Sequence, residues 1–310
     1  MGYGHERAAL PLKKIAHKGE IISANNYPGI RASDRSIWEQ SRSFYEILSR
    51  FKTFPVLGDF AFSIFDKFQE IKEFYPREES IDAPTLQLKQ IYSLMENKGW
   101  GRQLIYKLNE NPLPFVTTFF VPAHMAEYWE YDGPIYLVVP DTDVSRAWAP
   151  LKPSASNIIY CAPTKRVAER LWRYGVPDAN IRYTGFPLPQ EFTGKNSQRA
   201  RYDLKKRVAA LDPNRRYQNQ YKTLMREYVG NVRSAKSRKP VRITFAIGGA
   251  GAQVDLVETI IKSLIPLLKE KSIEFHVIAG VHAGVSVALQ DFVKELGLSS
   301  LLSDSLFIHS

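Results

Sequence analysis

The sequence predicts an α/β protein of two Rossmann-like domains, and three observations carry that expectation. Residues 241–252, VRITFAIGGAGA, read as a strand, a tight turn and the entry to a helix. Val241, Ile243, Phe245 and Ile247 alternate, Gly248, Gly249 and Gly251 turn the chain, and apolar periodicity follows over 254–268. Short apolar strands alternate with helical patterns between residues 115 and 184, as in a parallel sheet covered by helices. Between these two series, Phe186, Pro187, Leu188 and Pro189 break the pattern and a basic stretch follows. Three segments result: a first domain over 1–189, a basic linker and helical region over 190–240, and the first part of a second domain over 241–310.

In chain order, Gly2, Tyr3, Gly4 and His5 read as a glycine-rich turn and 6–16 as the helix after it, with the strand that should feed the turn missing. Residues 20–24 read as a strand, and Asn25, Asn26, Tyr27, Pro28 and Gly29 as a loop. From 36 to 71 aromatics are dense, among them Trp38, Phe44, Tyr45, Phe51, Phe54, Phe60, Phe62, Phe65 and Phe68. Two helices broken near Pro55 fit that stretch, either packed in a core or presenting a surface to lipid. A long helix over 82–108 is interrupted around Gly99 and Gly101. Strands are expected at 115–120, 135–139, 157–160 and 181–184, and helices at 123–129 and 164–174. Thr164 serves the second helix as N-cap, and Gly175 followed by Pro177 stops it. The second series continues with a strand at 273–278, a helix at 286–296 and a strand at 305–309, so the second sheet is expected only about half built at Ser310.

Composition narrows the function. With 310 residues and 44% hydrophobic content, two cores can be buried. The single cysteine, Cys161, excludes an internal disulfide framework and fits a reducing compartment, and its place after an apolar strand reads as a buried structural thiol. No apolar run approaches the length of a membrane span and the N-terminus lacks a signal-peptide layout, so a soluble or peripheral, cytoplasmic protein is expected. The formal charge of +10 is concentrated: between residues 195 and 239, 14 Lys and Arg face only Asp203, Asp212 and Glu227, which leaves the rest of the chain near neutral. Such a stretch can meet anionic lipid or nucleic acid, or be a solvated linker. For nucleic acid, aromatics should interleave with the cations; Tyr202, Tyr217, Tyr221 and Tyr228 are few for that, so nucleic acid is disfavoured. The six histidines, His5, His17, His124, His276, His282 and His309, show no ligand-like pairing with cysteine or acid at short spacing, so no metal is expected.

The glycine turn at 248–251 is a diphosphate cradle in outline, because backbone N–H groups at a helix N-terminus can approach a phosphate there and the helix dipole favours negative charge. A glycine turn after a parallel strand also occurs with no ligand. A dinucleotide fold would place an acid near the end of the next strand to hold the ribose. That strand ends in Ala279, Gly280, Val281, His282, Ala283 and Gly284, with no carboxylate, which disfavours NAD.

Three stretches together resemble a glycosyltransferase of the GT-B fold, in the branch that includes monogalactosyldiacylglycerol synthases and the undecaprenyl-linked N-acetylglucosaminyl transferase of peptidoglycan synthesis. Gly2-Tyr3-Gly4-His5-Glu6-Arg7-Ala8-Ala9 is similar to the family's N-terminal glycine loop, with Tyr3 in place of a glycine. Cys161-Ala162-Pro163-Thr164 through Gly185-Phe186-Pro187 resembles the segment that closes the acceptor domain, and Ala246-Ile247-Gly248-Gly249-Ala250-Gly251 the loop that opens the donor domain. The family's donor-sugar motif, with its acidic ribose ligand, would lie beyond Ser310.

The resemblance implies transfer of a sugar from a nucleotide-diphosphate donor to an acceptor hydroxyl. The diphosphate would rest on Gly248, Gly249 and Gly251 without a metal. His5 is the candidate base, with the alternative of a cap or turn residue, and Gly4 beside it belongs to the acceptor loop. Asp141 and Asp143 follow a strand, where ligands of open α/β sheets bind; Asp141 is taken as the base's catalytic partner and Asp143 as an acceptor contact, unless they cap the next turn. His124, near another strand end, is a further acceptor contact, His282 borders the nucleotide, and His276 reads as a satisfied core residue. The aromatic and basic stretches favour a lipid acceptor. Two other classes stay open: a sugar-nucleotide epimerase on the same fold, and a non-catalytic basic binding module.

Overall fold

The computed structural model describes residues 3–50, 71, 74, 83–193, 197–232, 240–248, 253–280 and 283–310. Contacts divide the chain into two units, Met1–Leu188 and Pro189–Ser310. The fold of each is mixed α/β with a parallel sheet.

The first unit begins with helix α1 (Tyr3–Ala9), so Gly4 and His5 lie in a helical turn and not in the loop expected of them. The chain then tightens into a 3-10 turn, Leu10–Lys14, with Pro11 at its start. Residues 20–23 pair with no strand among the described residues, against the expected strand; Ile21 and Ile22 are both exposed, so nothing apolar is gained by pairing them. Helix α2 (Ala32–Arg50) buries Trp38, whose ring meets Trp100 edge-on at 4.7 Å. The aromatic side chains expected between 45 and 68 lie outside the described residues.

Helix α3 (Leu86–Lys98) starts at Thr85, whose hydroxyl accepts from Leu88 N, and turns Leu88, Ile91 and Met95 into the core. It stops at Gly99 in the left-handed region, and α4 (Arg102–Asn109) follows, as the two glycines predict. Gly101 is obligatory on two counts: its φ is +81°, and a Cβ there would come within 2.4 Å of Met125 Sδ. Its N–H donates to the buried carboxylate of Asp34 at 3.2 Å, which joins α2 to the start of α4.

Strand β1 (Phe115–Thr117) is short, and helix α5 (Phe120–Tyr128) begins where strand was expected to continue. The reason is packing: every residue from Phe120 to Ala126 is buried, so this helix has no polar face and no helical period to read. Strands β2 (Ile135–Val138), β3 (Ile159–Ala162) and β4 (Ile181–Tyr183) complete a parallel sheet in the order β1-β2-β3-β4. Cys161 is inside β3 and half-buried, and burial pushes its thiol up. Helix α6 (Lys165–Arg173) is capped by the Thr164 hydroxyl, which accepts from Val167 N at 3.1 Å.

In the second unit, helix α7 (Gln198–Leu211) is capped by Ser197 and buries none of its own residues. Strands β5 (Val241–Ala246), β6 (Ile273–Ile278) and β7 (Leu306–His309) form a parallel sheet in that order. Helices α8 (Val254–Lys269) and α9 (Ala283–Glu295) make the crossovers. Phe275, Val277 and Leu306 are fully buried with Val257, Ile261, Leu289 and Val293; each such side chain contributes roughly 1.5–3 kcal/mol. The alternate residues Glu274, His276 and Ile278 belong to the other face.

Strand order runs without reversal in both sheets. Parallel α/β structure is therefore present in each unit, while the reversal about a first strand that marks a doubly wound sheet is not seen among the described residues. Among the same residues, no helix is long and apolar enough to cross a membrane.

Candidate functional site

The carboxyl ends of β1 and β2 bring His5 and Asp141 into electrostatic reach. Thr118, directly after β1, exchanges two bonds with α1: its carbonyl lies 2.7 Å from His5 Nδ1, and its hydroxyl donates to the His5 carbonyl at 2.9 Å. A carbonyl only accepts, so Nδ1 carries the proton and Nε2 holds a lone pair. The ring is wedged against Phe119 at 4.7 Å and Trp148 at 6.2 Å. Burial lowers the imidazole's pKa, against the raising effects of the Thr118 carbonyl and Asp141, so His5 is neutral at pH 7. Burial also pushes the Asp141 carboxyl up, and His5 draws it back down. A neutral imidazole with a directed lone pair beside a carboxyl group can take a proton and be stabilised once charged.

The segment after β2 is held by buried polar side chains from the elements around it. The hydroxyl of Tyr174 donates to the Val144 carbonyl at 2.9 Å, and that of Tyr160 to Trp148 at 3.0 Å. Arg146 turns back on the carbonyls of Ala149 and Pro150. His124 Nε2 meets the Ala147 carbonyl at 2.9 Å. Buried donors of this kind fix a loop firmly, because releasing one strands a polar group away from water.

Two expected acceptor contacts are occupied by this scaffold. His124 is 0% exposed, so it cannot touch a molecule arriving from solvent; burial lowers its pKa to about 4, and it serves to position Trp148 through Ala147. Asp143 accepts both Nε and Nη2 of the fully buried Arg170 at 2.9 Å and Nε of Arg166 at 2.8 Å. Burial would raise its pKa, but the bonds from Arg170, Arg166 and Val144 N outweigh that and lower it. Its oxygens are filled, and the side chain anchors α6 to the loop. Gly4 is exposed, and a Cβ there would meet nothing within 4 Å.

In the second unit, Gly248, two residues past β5, donates its N–H to the Gln253 side chain at 3.3 Å. Gln253 precedes α8 and gives that helix no side-chain cap. Gly249, Gly251 and His282 lie outside the described residues. At the same edge stands His309, the last residue of β7, its ring nitrogen 2.9 Å from His276. His276 is thus satisfied through both ring nitrogens, as expected, but it is only partly buried and lies on the sheet face opposite the core.

Thr118, Phe119, Trp148 and His309 carry these arrangements and were not read from sequence as site residues. Strand ends could have flagged Thr118 and His309; nothing local marks Trp148. Among the described residues, no group of three or more His, Cys, Asp and Glu side chains is arranged to hold a metal ion.

A family described as a domain of unknown function (DUF6938) matches residues 226–306, a span within the second unit that takes in β5, α8, β6 and α9. Neither the curated proteins nor the solved structures compared with the chain include a match.

Proposed function

We propose that the chain is a glycosyltransferase of GT-B type, with two Rossmann-like domains, that moves a sugar from a nucleoside-diphosphate donor to the hydroxyl of a lipid or membrane-associated acceptor. The observation that carries this reading is the fixed tautomer of His5, a neutral imidazole with its Nε2 lone pair free at the carboxyl edge of a parallel sheet, beside Asp141.

The acceptor hydroxyl gives its proton to His5 Nε2 as its oxygen bonds to the anomeric carbon. The bond from that carbon to the diphosphate breaks, and its electrons leave with the nucleoside diphosphate. Asp141 stabilises the imidazolium that forms. In the second unit, α8 starts without a side-chain cap, and the N–H groups of its first turn together with the helix dipole suit the negative charge of a diphosphate. A peripheral membrane location is supported by the second unit, where Tyr202, Leu211, Tyr217 and Tyr228 are exposed among Arg199, Arg201, Lys206 and Arg216, a composition suited to an anionic lipid interface.

The test is release of nucleoside diphosphate from a panel of UDP-sugars incubated with the chain and detergent-solubilised lipids. His5→Ala should lower the rate by about 10²–10⁴-fold. If the parent releases nothing with any donor and acceptor, the transferase reading fails; if His5→Ala works as fast as the parent, the base lies elsewhere.

A further inference from the structure

On the face of the second sheet opposite its buried residues, four side chains from three adjacent strands form one bonded row. Arg242 of β5 donates through Nε and Nη2 to one oxygen of Glu274 on β6, at 2.9 and 2.7 Å. The same Glu274 oxygen lies 3.5 Å from His276 Nε2, and His276 Nδ1 lies 2.9 Å from His309 Nε2 on β7. Phe307 stacks flat on His276 at 4.4 Å, and the two imidazoles lie within 3° of parallel. The row runs toward the carboxyl ends of the strands, where it finishes on an exposed imidazole.

The polarity of this row follows from its first member. Glu274 is a carboxylate, its pKa lowered further by the Arg242 bonds, so its oxygens only accept, and those two bonds fix where they point. With neutral rings, His276 carries its proton on Nε2 toward Glu274, which leaves Nδ1 as an acceptor. His309 donates its Nε2–H to that acceptor, and its own Nδ1 is left with a bare lone pair at the sheet edge. The row delivers an acceptor, which attracts a hydroxyl or an N–H and repels a phosphate oxygen.

Position along the edge narrows the ligand further. Ile247 N bonds Ile278 O at 2.9 Å and Ala279 N bonds His309 O at 2.7 Å, so the ends of β5, β6 and β7 stand side by side. The end of β7 at His309 is two strands from the end of β5, a separation of about 10 Å at the usual strand spacing. That is the reach of a nucleoside from its own diphosphate, in the crevice where open parallel sheets bind ligands.

We propose that His309 is a specificity-determining contact for the nucleoside half of the donor, accepting a hydrogen bond from a ribose hydroxyl or a nucleobase imide N–H, and that Arg242, Glu274 and His276 are positioning residues that set its tautomer. The inference rests on the nucleotide-sugar reading and names the part of the nucleotide this edge receives.

The test is calorimetric titration of the whole chain with UDP and, separately, with inorganic pyrophosphate as the diphosphate alone. His309→Phe keeps a flat ring and removes the acceptor. It should weaken UDP about tenfold and leave pyrophosphate unchanged. UDP methylated at N3 and 2′-deoxy-UDP identify the donor, since the analogue lacking it should bind parent and variant alike. Equal UDP affinity in His309→Phe and parent overturns the proposal while the donor site stands. A parent that binds pyrophosphate but not UDP also overturns it, and leaves an anion cradle alone. A parent that binds neither removes the donor reading and this inference with it. Independently, ¹⁵N spectra should show neutral His309 as the Nε2–H tautomer; the Nδ1–H form would overturn the assignment without reference to any ligand.

Discussion

The two units place a histidine at the carboxyl edge of a parallel sheet by opposite means. His5 in the first unit is oriented by a backbone carbonyl, Thr118 O, and walled by Phe119 and Trp148. In the second unit, His309 is oriented by side chains alone, through His276, Glu274 and Arg242, on an open sheet face. A backbone carbonyl cannot be substituted away, so the first arrangement is as rigid as the fold. The second can be undone one residue at a time with little cost to the fold. The same contrast holds for polar anchors generally: those of the first unit are buried and energetically heavy, and those of the second are solvated and light.

The sharpest way to break this contrast is to remove Asp143. Arg170 has a side chain with 0% exposure, and Asp143 is the carboxylate that faces its guanidinium, while the Phe74 ring stacks on it at 4.8 Å. Asp143→Ala leaves a buried guanidinium without its counter-charge, and should destabilise the first unit by about 3–5 kcal/mol. All five tryptophans, Trp38, Trp100, Trp129, Trp148 and Trp172, lie in that unit, so tryptophan fluorescence during urea unfolding reports it separately. A loss below about 1 kcal/mol would mean that water reaches Arg170, and the supposed difference between buried and open anchors would shrink.

Acid gives the next largest effect. His124 is buried and neutral in the folded chain, with a pKa of about 4, against about 6.5 when unfolded. Between those values the unfolded state binds the extra proton, so stability should be intact above pH 6.5 and fall as pH drops toward 4, by on the order of 3 kcal/mol. His5, shifted in the same direction, adds to the slope in the same window. The tryptophan-reported transition should show this decline, and in His124→Gln the part due to residue 124 should vanish. An unchanged slope in that variant would place the acid sensitivity elsewhere.

These anchors were the least legible part of the chain. Local rules found what local chemistry fixes: the Thr164 cap, the break at Gly99 and Gly101, and the parallel strands with their crossovers. They failed where tertiary context decides. Helix α5 is buried on every side, so its first turn has no period and looks like strand. Ile21 and Ile22 look like strand but are exposed and pair with no strand among the described residues. His5 was singled out by the glycine turn before a helix and by the family resemblance, Asp141 by its place after a strand, and the fold brings the two into electrostatic reach. Asp143 and His124 had the same sequence credentials, yet Arg170 fills the one and burial closes off the other. Spacing along the chain carries no information about a partner 27 residues away, the separation between Asp143 and Arg170.

The smallest effect on stability discriminates best between the two designs. The Arg242 side chain is 65% exposed, so its pair with Glu274 is screened by water, and Arg242→Ala should cost the second unit less than about 1 kcal/mol. Far-ultraviolet circular dichroism combined with the tryptophan signal isolates that unit's transition by difference. Freed from Arg242, Glu274 stays a carboxylate but loses the two bonds that hold it against His276, and the proton order along His276 and His309 is no longer imposed. UDP binding should therefore weaken in Arg242→Ala although the fold is nearly untouched, whereas no single side-chain removal near His5 can reverse its tautomer. A variant that loses stability and UDP affinity in proportion would show that the row is only a sheet-stabilising contact. One that keeps its stability and loses affinity would separate orientation from folding in the second unit.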